Sequence, residues 1–156
     1  TTSGFCYTAF VTDVFSRKIV GWSTRSTMRT EDLPLEALEH ALNSAKKQAL
    51  TGLVHHSDRG SQYVSIRYSE RLEEAGITPS VGSRGDSYDN ALAETVNGLY
   101  KAELIHARRP WPSVTEVEFE TLKWVHWWNH DRLHEALDYL TPTEYEAYHP
   151  NTNARA

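Results

Sequence analysis

The chain has 156 residues and a formal net charge of −5 from 16 basic and 21 acidic side chains, and 39% of its residues are hydrophobic. This length and composition are typical of one globular domain and exclude a disordered or low-complexity chain. No apolar run approaches the roughly 20 residues of a membrane helix. The single cysteine, Cys6, excludes an internal disulfide, and we expect a reducing, cytoplasmic location.

The start of the chain predicts an antiparallel hairpin followed by a helix. Phe5–Phe15 and Ile19–Ser23 are rich in β-branched and aromatic residues, and the polar residues 16–18 form the turn between them. Thr30 is the candidate N-cap of the helix, in which leucine and alanine recur at helical spacing until Gly52.

Strands and helices alternate in the middle of the chain. The predicted elements are a strand at Leu53–Asp58, a helix at Ser65–Ala75, a strand at Ile77–Val81, a glycine-rich loop at Gly82–Tyr88 and a helix to about Ile105. Gly76 is the expected C-terminal stop of the first of these helices. Ser87 or Asp89 is the expected N-cap of the second.

Two capping patterns predict the C-terminal helices. Ser113 with Glu116 opens a long helix to about Leu137, and Thr141 with Glu144 opens a second helix with proline at its first position. The order of all these elements predicts an α/β layer fold with a mixed sheet.

Two acidic residues occupy positions where carboxylates carry out chemistry. Asp58 ends an apolar strand, and sites in α/β sheets gather just beyond the carboxyl ends of strands. Glu94 lies early in the helix that follows the glycine-rich loop. Hard cations such as Mg²⁺ are held by one or two carboxylates together with substrate phosphates. An Asp at a strand end also caps turns, and a helical Glu is commonly solvated, so the residue types alone leave both interpretations open.

The segments around these two residues resemble the signature blocks of bacterial insertion-sequence transposases, within the DDE transposase and retroviral-integrase superfamily. The blocks are HSDRGSQY at residues 56–63 and YDNALAE at residues 88–94, and 35 residues separate Asp58 from Glu94, as in that superfamily. VTDVFSR at 11–17 and WNHDRLHEAL at 128–137 are further matches. The resemblance implies an RNase H-like fold, with residues 1–148 as the catalytic core and 149–156 as a tail.

The resemblance also implies a reaction and the residues that perform it. Asp58 and Glu94 would be catalytic metal ligands for Mg²⁺ or Mn²⁺, in a site that holds two metals in the complete enzyme. Water would attack a phosphodiester at a transposon end, and the freed 3′-hydroxyl would then join the target DNA. Lys101, Asn97 and Arg59 would contact DNA. The implied partners are transposon-end and target DNA and further copies of the chain.

The first aspartate of the superfamily has no match in this sequence, because it lies on a first, central strand upstream of the segment that matches from Phe5 onward. Asp13 falls in the block of the following strand, and we interpret it as a residue that fixes the hairpin turn. We therefore expect this chain to be inactive alone. We also expect the sheet, without its central strand, to associate or rearrange through unpaired edges.

Two other functions fit the same sequence. One is a metal-dependent nuclease with the RNase H-like fold, and the other is a non-catalytic module that assembles with DNA or protein, which the net charge of −5 favours. Histidine recurs every four residues at His126, His130 and His134, and this spacing is compatible with a zinc site. The sequence contains no clear third-ligand motif to accompany them. His134 matches a family block together with Asn129 and Arg132, and we interpret it as structural.

Overall fold

The computed structural model of the protein describes residues 6–26, 33–45, 53–57, 66–81, 87–107 and 111–149. Its strands are β1 (Tyr7–Thr12), β2 (Ile19–Arg25), β3 (Val54–Ser57) and β4 (Thr78–Val81). Its α-helices are α1 (Leu33–Ser44), α2 (Ile66–Glu74), α3 (Ser87–Tyr100), α4 (Val114–His130) and α5 (Pro142–Tyr148). A π-helical turn (Lys101–Ile105) continues α3, and a 3₁₀ turn (Glu135–Leu137) lies between α4 and α5. Among these residues no helix combines the length and the apolar character needed to cross a membrane.

The described strands form two two-stranded sheets, one antiparallel and one parallel. β1 and β2 pair antiparallel, with Ala9 opposite Ser23, whereas β3 and β4 pair parallel, with Val54 opposite Thr78. No described residue forms a strand between the two sheets, at the position that the central strand occupies in the family. The described strands thus include the antiparallel and the parallel pairs of a mixed sheet, but each pair forms its own two-stranded sheet.

The hairpin packs closely on α1 because β2 has a glycine at the contact. A Cβ built on Gly21 would lie 2.3 Å from the carbonyl oxygen of Ala37 and 2.8 Å from the Cβ of Ala41. Real Cβ atoms do not approach so closely, so only glycine lets the helix backbone lie this near the strand. The small residues of α1 face the same contact and are buried.

The largest hydrophobic cluster lies between the hairpin, α3 and α4. Its buried members are Ile19, Leu92, Val96, Tyr100, Leu104, Trp111, Val117, Trp124, Val125 and Trp128. A second cluster joins α1 and α2 around Leu38, Tyr68 and Leu72. Of the tryptophans interpreted as core or partner surface, Trp127 is the one on the surface, and Trp111, Trp124 and Trp128 are buried.

The capping predictions are confirmed at three helix ends. Gly76 has a φ of 79°, the left-handed conformation that ends α2. The Ser113 side chain accepts a hydrogen bond from the Glu116 amide at 3.2 Å. Thr141 and Glu144 form a complete, reciprocal capping box at α5. The predicted cap at Thr30 lies outside the described residues.

The prediction that α4 continues to about Leu137 is wrong. The helix ends at His130, and the amides of both Asp131 and Arg132 bond to the carbonyl of Trp127. His134 then pairs with Leu140 in an isolated β-bridge, which the left-handed residue Asp138 (φ 55°) helps to close. Leu137 is buried although it lies outside the helix. The helical spacing of apolar residues therefore continues past the residue at which α4 ends.

Candidate functional site

Helix α3 is held in place by one buried stripe. Leu92, Val96 and Tyr100 are spaced by four residues and lie in the main hydrophobic cluster. The Tyr100 hydroxyl forms hydrogen bonds with the hydroxyls of Thr121 on α4 (2.6 Å) and Thr8 on β1 (3.2 Å). Burial raises the pKa of Tyr100, so the hydroxyl stays protonated. These contacts fix the rotation of α3 about its own axis.

The opposite face of α3 carries three of the predicted site residues. Glu94, Asn97 and Lys101 are all exposed. Their spacings of three and four residues place them side by side along one face, because residues three and four apart are neighbours on a helix. The structure therefore brings together the predicted metal-binding carboxylate and two of the three predicted DNA contacts.

The π-helical turn begins at Lys101. Its diagnostic hydrogen bond runs from the amide of His106 to the carbonyl of Lys101 at 2.8 Å. In an α-helix of about 3.6 residues per turn, residues four apart do not lie directly above one another, and each step of four rotates further around the axis. A π-helical turn contains more residues, so it removes this extra rotation. Leu104 consequently stays in the same buried stripe as Tyr100. The wide turn thus keeps the end of α3 on the core while Lys101 faces outward.

The other two predicted site residues, Asp58 and Arg59, lie outside the described residues. The structure does describe the strand that leads into them. β3 ends at Ser57, opposite the last residue of β4, Val81, so the two parallel strands finish at the same edge. Asp58 follows β3 directly in the chain, and α3 begins at Ser87, shortly after β4. Both segments that carry the signature carboxylates therefore leave the same edge of the parallel sheet.

Asp13 is a structural residue of the hairpin turn, as predicted. Its Oδ1 accepts from the Phe15 amide at 2.9 Å and its Oδ2 accepts from the Ser16 hydroxyl at 3.0 Å. Burial raises the pKa of Asp13, an effect that hydrogen bonds from Phe15 and Ser16 oppose. Both carboxylate oxygens are thus engaged in the turn.

The three histidines considered for zinc do not share one face. His126 and His130 lie on the exposed side of α4, with ring centroids 4.4 Å apart. His134 lies beyond the helix and is buried, with its Nε2 3.4 Å from the Trp128 carbonyl oxygen and its ring edge-on to the Trp128 indole. Burial lowers the pKa of His134, so the ring is neutral and donates to that carbonyl. The structural interpretation of His134 is confirmed, and the three-histidine alternative is wrong.

The one predicted metal ligand that the structure describes, Glu94, has the chemistry that a hard divalent cation requires. Glu94 offers an exposed carboxylate, and oxygen ligands of this type are those that Mg²⁺ and Mn²⁺ select. No group of three or more His, Cys, Asp or Glu side chains that could hold a metal occurs within the part of the chain that the structure describes. Glu94 thus offers one oxygen donor on the outward face of α3.

The residues that position α3 had no recognisable sequence signal. Thr8 lies in a mostly apolar strand and Thr121 in a helix of mixed polar and apolar residues, and neither was selected as a candidate. A hydroxyl inside an apolar stripe is a weak indication of a buried hydrogen bond, since buried polar groups are nearly always paired. Their common partner, Tyr100, lies only six residues from Glu94 and three from Asn97 in sequence, so their contacts bear directly on the exposed face.

Two family models match the chain. Both are described as integrase core domains, and they match residues 1–87 and 75–142. Among curated proteins, the transposase for insertion sequence element IS629 from Shigella sonnei is 53% identical over 146 residues, covering 94% of this chain and 48% of its own length. The transposase for IS904 from Lactococcus lactis is 38% identical over 152 residues, covering 95% of this chain and 57% of its own. The chain thus spans about half the length of the curated relatives it matches.

Solved structures of retroviral integrases have the same fold. The intasome of simian T-cell lymphotropic virus, solved in complex with a PP2A regulatory subunit, matches 91% of this chain with a TM-score of 0.67 and 16% identity. The HTLV-2 integrase catalytic core domain, solved with magnesium in a trimeric form, matches 91% of this chain with a TM-score of 0.56 and 16% identity. At this identity the likeness establishes the fold, which is the RNase H-like α/β arrangement expected from the sequence.

Proposed function

Because the chain belongs to the integrase core domain family, we propose that it is the catalytic core of a DNA transposase, which cleaves phosphodiesters and transfers strands during DNA integration. The observation that carries the proposal is the outward face of α3, where Glu94 lies beside Asn97 and Lys101 on a helix that the core holds rigidly. We also propose a cytoplasmic location, because the matching transposases are bacterial and bacterial DNA lies in the cytoplasm.

In this proposal Asp58 and Glu94 are the metal ligands that this chain supplies. Asp58 directly follows β3 and α3 follows β4, and these strands end together, which supports a shared site at that edge. A bound Mg²⁺ or Mn²⁺ would activate the attacking oxygen and stabilise the leaving oxygen of the phosphodiester. The third carboxylate of the family has no match in residues 1–156, so Asp58 and Glu94 are the two metal ligands that we propose.

Lys101, Asn97 and Arg59 are the proposed DNA contacts. The Lys101 ammonium is about two helical turns from Glu94, where it would bind a phosphate oxygen and neutralise its charge. Asn97 lies between these two residues along the helix and would donate to a phosphate or sugar oxygen. Arg59 follows Asp58 in sequence and would orient the same phosphodiester by a charge-assisted hydrogen bond.

Manganese titration by calorimetry tests the metal site directly. We expect Asp58→Asn and Glu94→Gln each to weaken Mn²⁺ binding about tenfold or more, as loss of one charged ligand should. Glu118→Gln, which removes an exposed carboxylate of α4, is the matched control and should bind Mn²⁺ like wild type. Equal binding by all four proteins would contradict the assignment of Asp58 and Glu94.

DNA binding and chemistry separate the proposal from its alternatives. Binding of a labelled duplex should weaken linearly on a plot of log affinity against log salt, and Lys101→Ala should lower that slope by about one. We expect no metal-dependent cleavage from this chain alone, and cleavage abolished by Asp58→Asn would contradict this. In a transposase that carries this core together with all three carboxylates of the family, hydrolysis without strand joining would favour the nuclease, and binding without chemistry would favour the assembly module.

We further propose that copies of the chain associate through the outer face of α4. Phe119 and Leu122 on this helix are 58% and 53% exposed, and Trp127 is also exposed. The first half of the helix carries Glu116 and Glu118, and the second half carries the cationic or neutral side chains of Lys123, His126 and His130. Two copies packed antiparallel would bury the apolar residues and place the acidic half of one helix against the other half of its partner.

A further inference from the structure

A single glycine interrupts the polar outer face of α3. Gly98 is exposed, follows Asn97, and lies one turn from both Glu94 and Lys101, so these four residues border one patch of the helix surface. Glycine is the least favourable residue, apart from proline, in the interior of a helix, because it gains most backbone freedom on unfolding. A glycine here therefore needs a reason.

Neither backbone conformation nor packing against the described residues supplies that reason. Gly76 is the described glycine with a positive φ, so Gly98 has a helical conformation that alanine adopts equally well. A Cβ built on Gly98 would meet no atom of the described part of the chain within 4 Å. Gly21 shows the contrasting case, since a Cβ there would collide with the backbone of α1.

We infer that Gly98 leaves room for the DNA backbone to approach α3 more closely than any side chain would allow, and so positions the phosphodiester between Glu94 and Lys101. This inference rests on the proposed DNA-directed function. The chemistry around the glycine favours DNA as the occupant, because Lys101 supplies a cation, Asn97 supplies amide donors and Glu94 is the proposed metal ligand. A protein helix packed on the same glycine is the alternative that the test must distinguish.

The site also coincides with an irregularity of the helix. Lys101, three residues after Gly98, is the first residue of the π-helical turn. Such turns are found often at functional sites, because they alter the direction of side chains over a short distance. The open position and the wide turn thus lie within one turn of each other on the face that carries Glu94.

The test compares wild type with Gly98→Ala and Gly98→Gln. Urea denaturation measures stability, and fluorescence anisotropy at low salt measures binding of a labelled DNA duplex. Gly98→Ala should raise the urea midpoint, since it replaces glycine by the best helix former, and yet weaken DNA binding. Gly98→Gln, whose longer side chain fills more of the space, should weaken binding about tenfold or more.

Thr115→Gln is the control, because it adds a similar side chain to an exposed position of α4. It should bind DNA like wild type. Unchanged DNA binding by both Gly98 variants would overturn the inference while leaving the proposed function intact. Failure of wild type to bind DNA at low salt would overturn the proposed function and this inference with it.

Two further outcomes would also overturn the inference. A lower urea midpoint for Gly98→Ala would show that the space at Gly98 is needed for folding. If Gly98→Gln no longer self-associates in sedimentation velocity but binds DNA like wild type, the open position at Gly98 accommodates a second protein chain and not DNA.

Discussion

The side-chain amide of Asn129 pairs with both backbone groups of Ile19. Its Oδ1 accepts from the Ile19 amide at 2.8 Å, and its Nδ2 donates to the Ile19 carbonyl at 2.9 Å. Asn129 lies near the end of α4, and Ile19 is the first residue of β2. The Asn129 side chain therefore forms the two hydrogen bonds with Ile19 that the backbone of a neighbouring strand would otherwise form. The adjacent Trp128 indole donates to the Arg17 carbonyl at 2.8 Å. Together these bonds anchor the hairpin to α4.

Asn129→Ala should destabilise the protein by about 2–4 kcal/mol, because it leaves a buried amide and a buried carbonyl of Ile19 without partners. Asn129→Asp should also destabilise it, since a carboxylate cannot donate to the carbonyl. Urea denaturation measures both effects. Asn97→Ala removes the same side chain from an exposed position and should change stability by less than about 0.5 kcal/mol. Equal effects at the two positions would contradict this account.

Gly21→Ala should destabilise the protein by about 2–3 kcal/mol, because the added methyl group collides with the α1 backbone at Ala37. Calorimetric melting would show the loss as a lower Tm. Gly98→Ala is the matched substitution at an open position and should raise the Tm. The prediction fails if the two glycine variants shift the Tm in the same direction.

The stability of the segment after α4 should depend on pH through His134. Burial lowers the pKa of His134 below its usual 6.5, so the unfolded chain binds the proton more readily than the folded one. The contribution of neutral His134 is complete above pH 6.5 and is lost as the pH falls from 6.5 through the lowered pKa of the folded state.

Urea denaturation at pH 7.5 and pH 5 checks this sign. His134→Asn should be less stable than wild type at pH 7.5, because it loses the ring contact with Trp128, but should lose less stability on acidification. His126→Asn, on the exposed face of α4, is the control for removing a histidine from this region. An equal loss on acidification in wild type and His134→Asn would contradict the prediction.

Self-association through α4 should depend on Leu122. Leu122→Lys places a charge within the exposed apolar face and should convert a dimer to a monomer in sedimentation velocity, with little change in Tm. Leu133→Lys is the matched control, because Leu133 is 59% exposed and lies beyond the helix. A monomeric wild type would contradict the proposed interface.

Local sequence patterns predicted the hairpin, the order of the elements and the caps at Gly76, Ser113 and Thr141, because each depends on neighbouring residues. They also placed Glu94, Asn97 and Lys101 on one helix face, since that follows from spacing alone. They failed at the end of α4, where the buried Leu137 continued the helical pattern by coincidence.

Contacts between distant segments had no local signal. Nothing near Asn129 indicates that its partner is Ile19, and nothing near Tyr100 indicates its bonds to Thr8 and Thr121. The π-helical turn was also missed, because the sequence from Glu94 to Ile105 is compatible with an uninterrupted helix. The metal-binding roles of Asp58 and Glu94 stay predictions, and so do the DNA-binding roles of Arg59, Asn97 and Lys101.

The bonds from α4 to the hairpin also set an order of events during synthesis. The partners Ile19 and Asn129 are separated by 110 positions, and a ribosome adding about 5–20 residues each second needs several seconds to cover that distance. In the nascent chain, the Ile19 amide and carbonyl therefore lack their Asn129 partner until most of the domain has been translated.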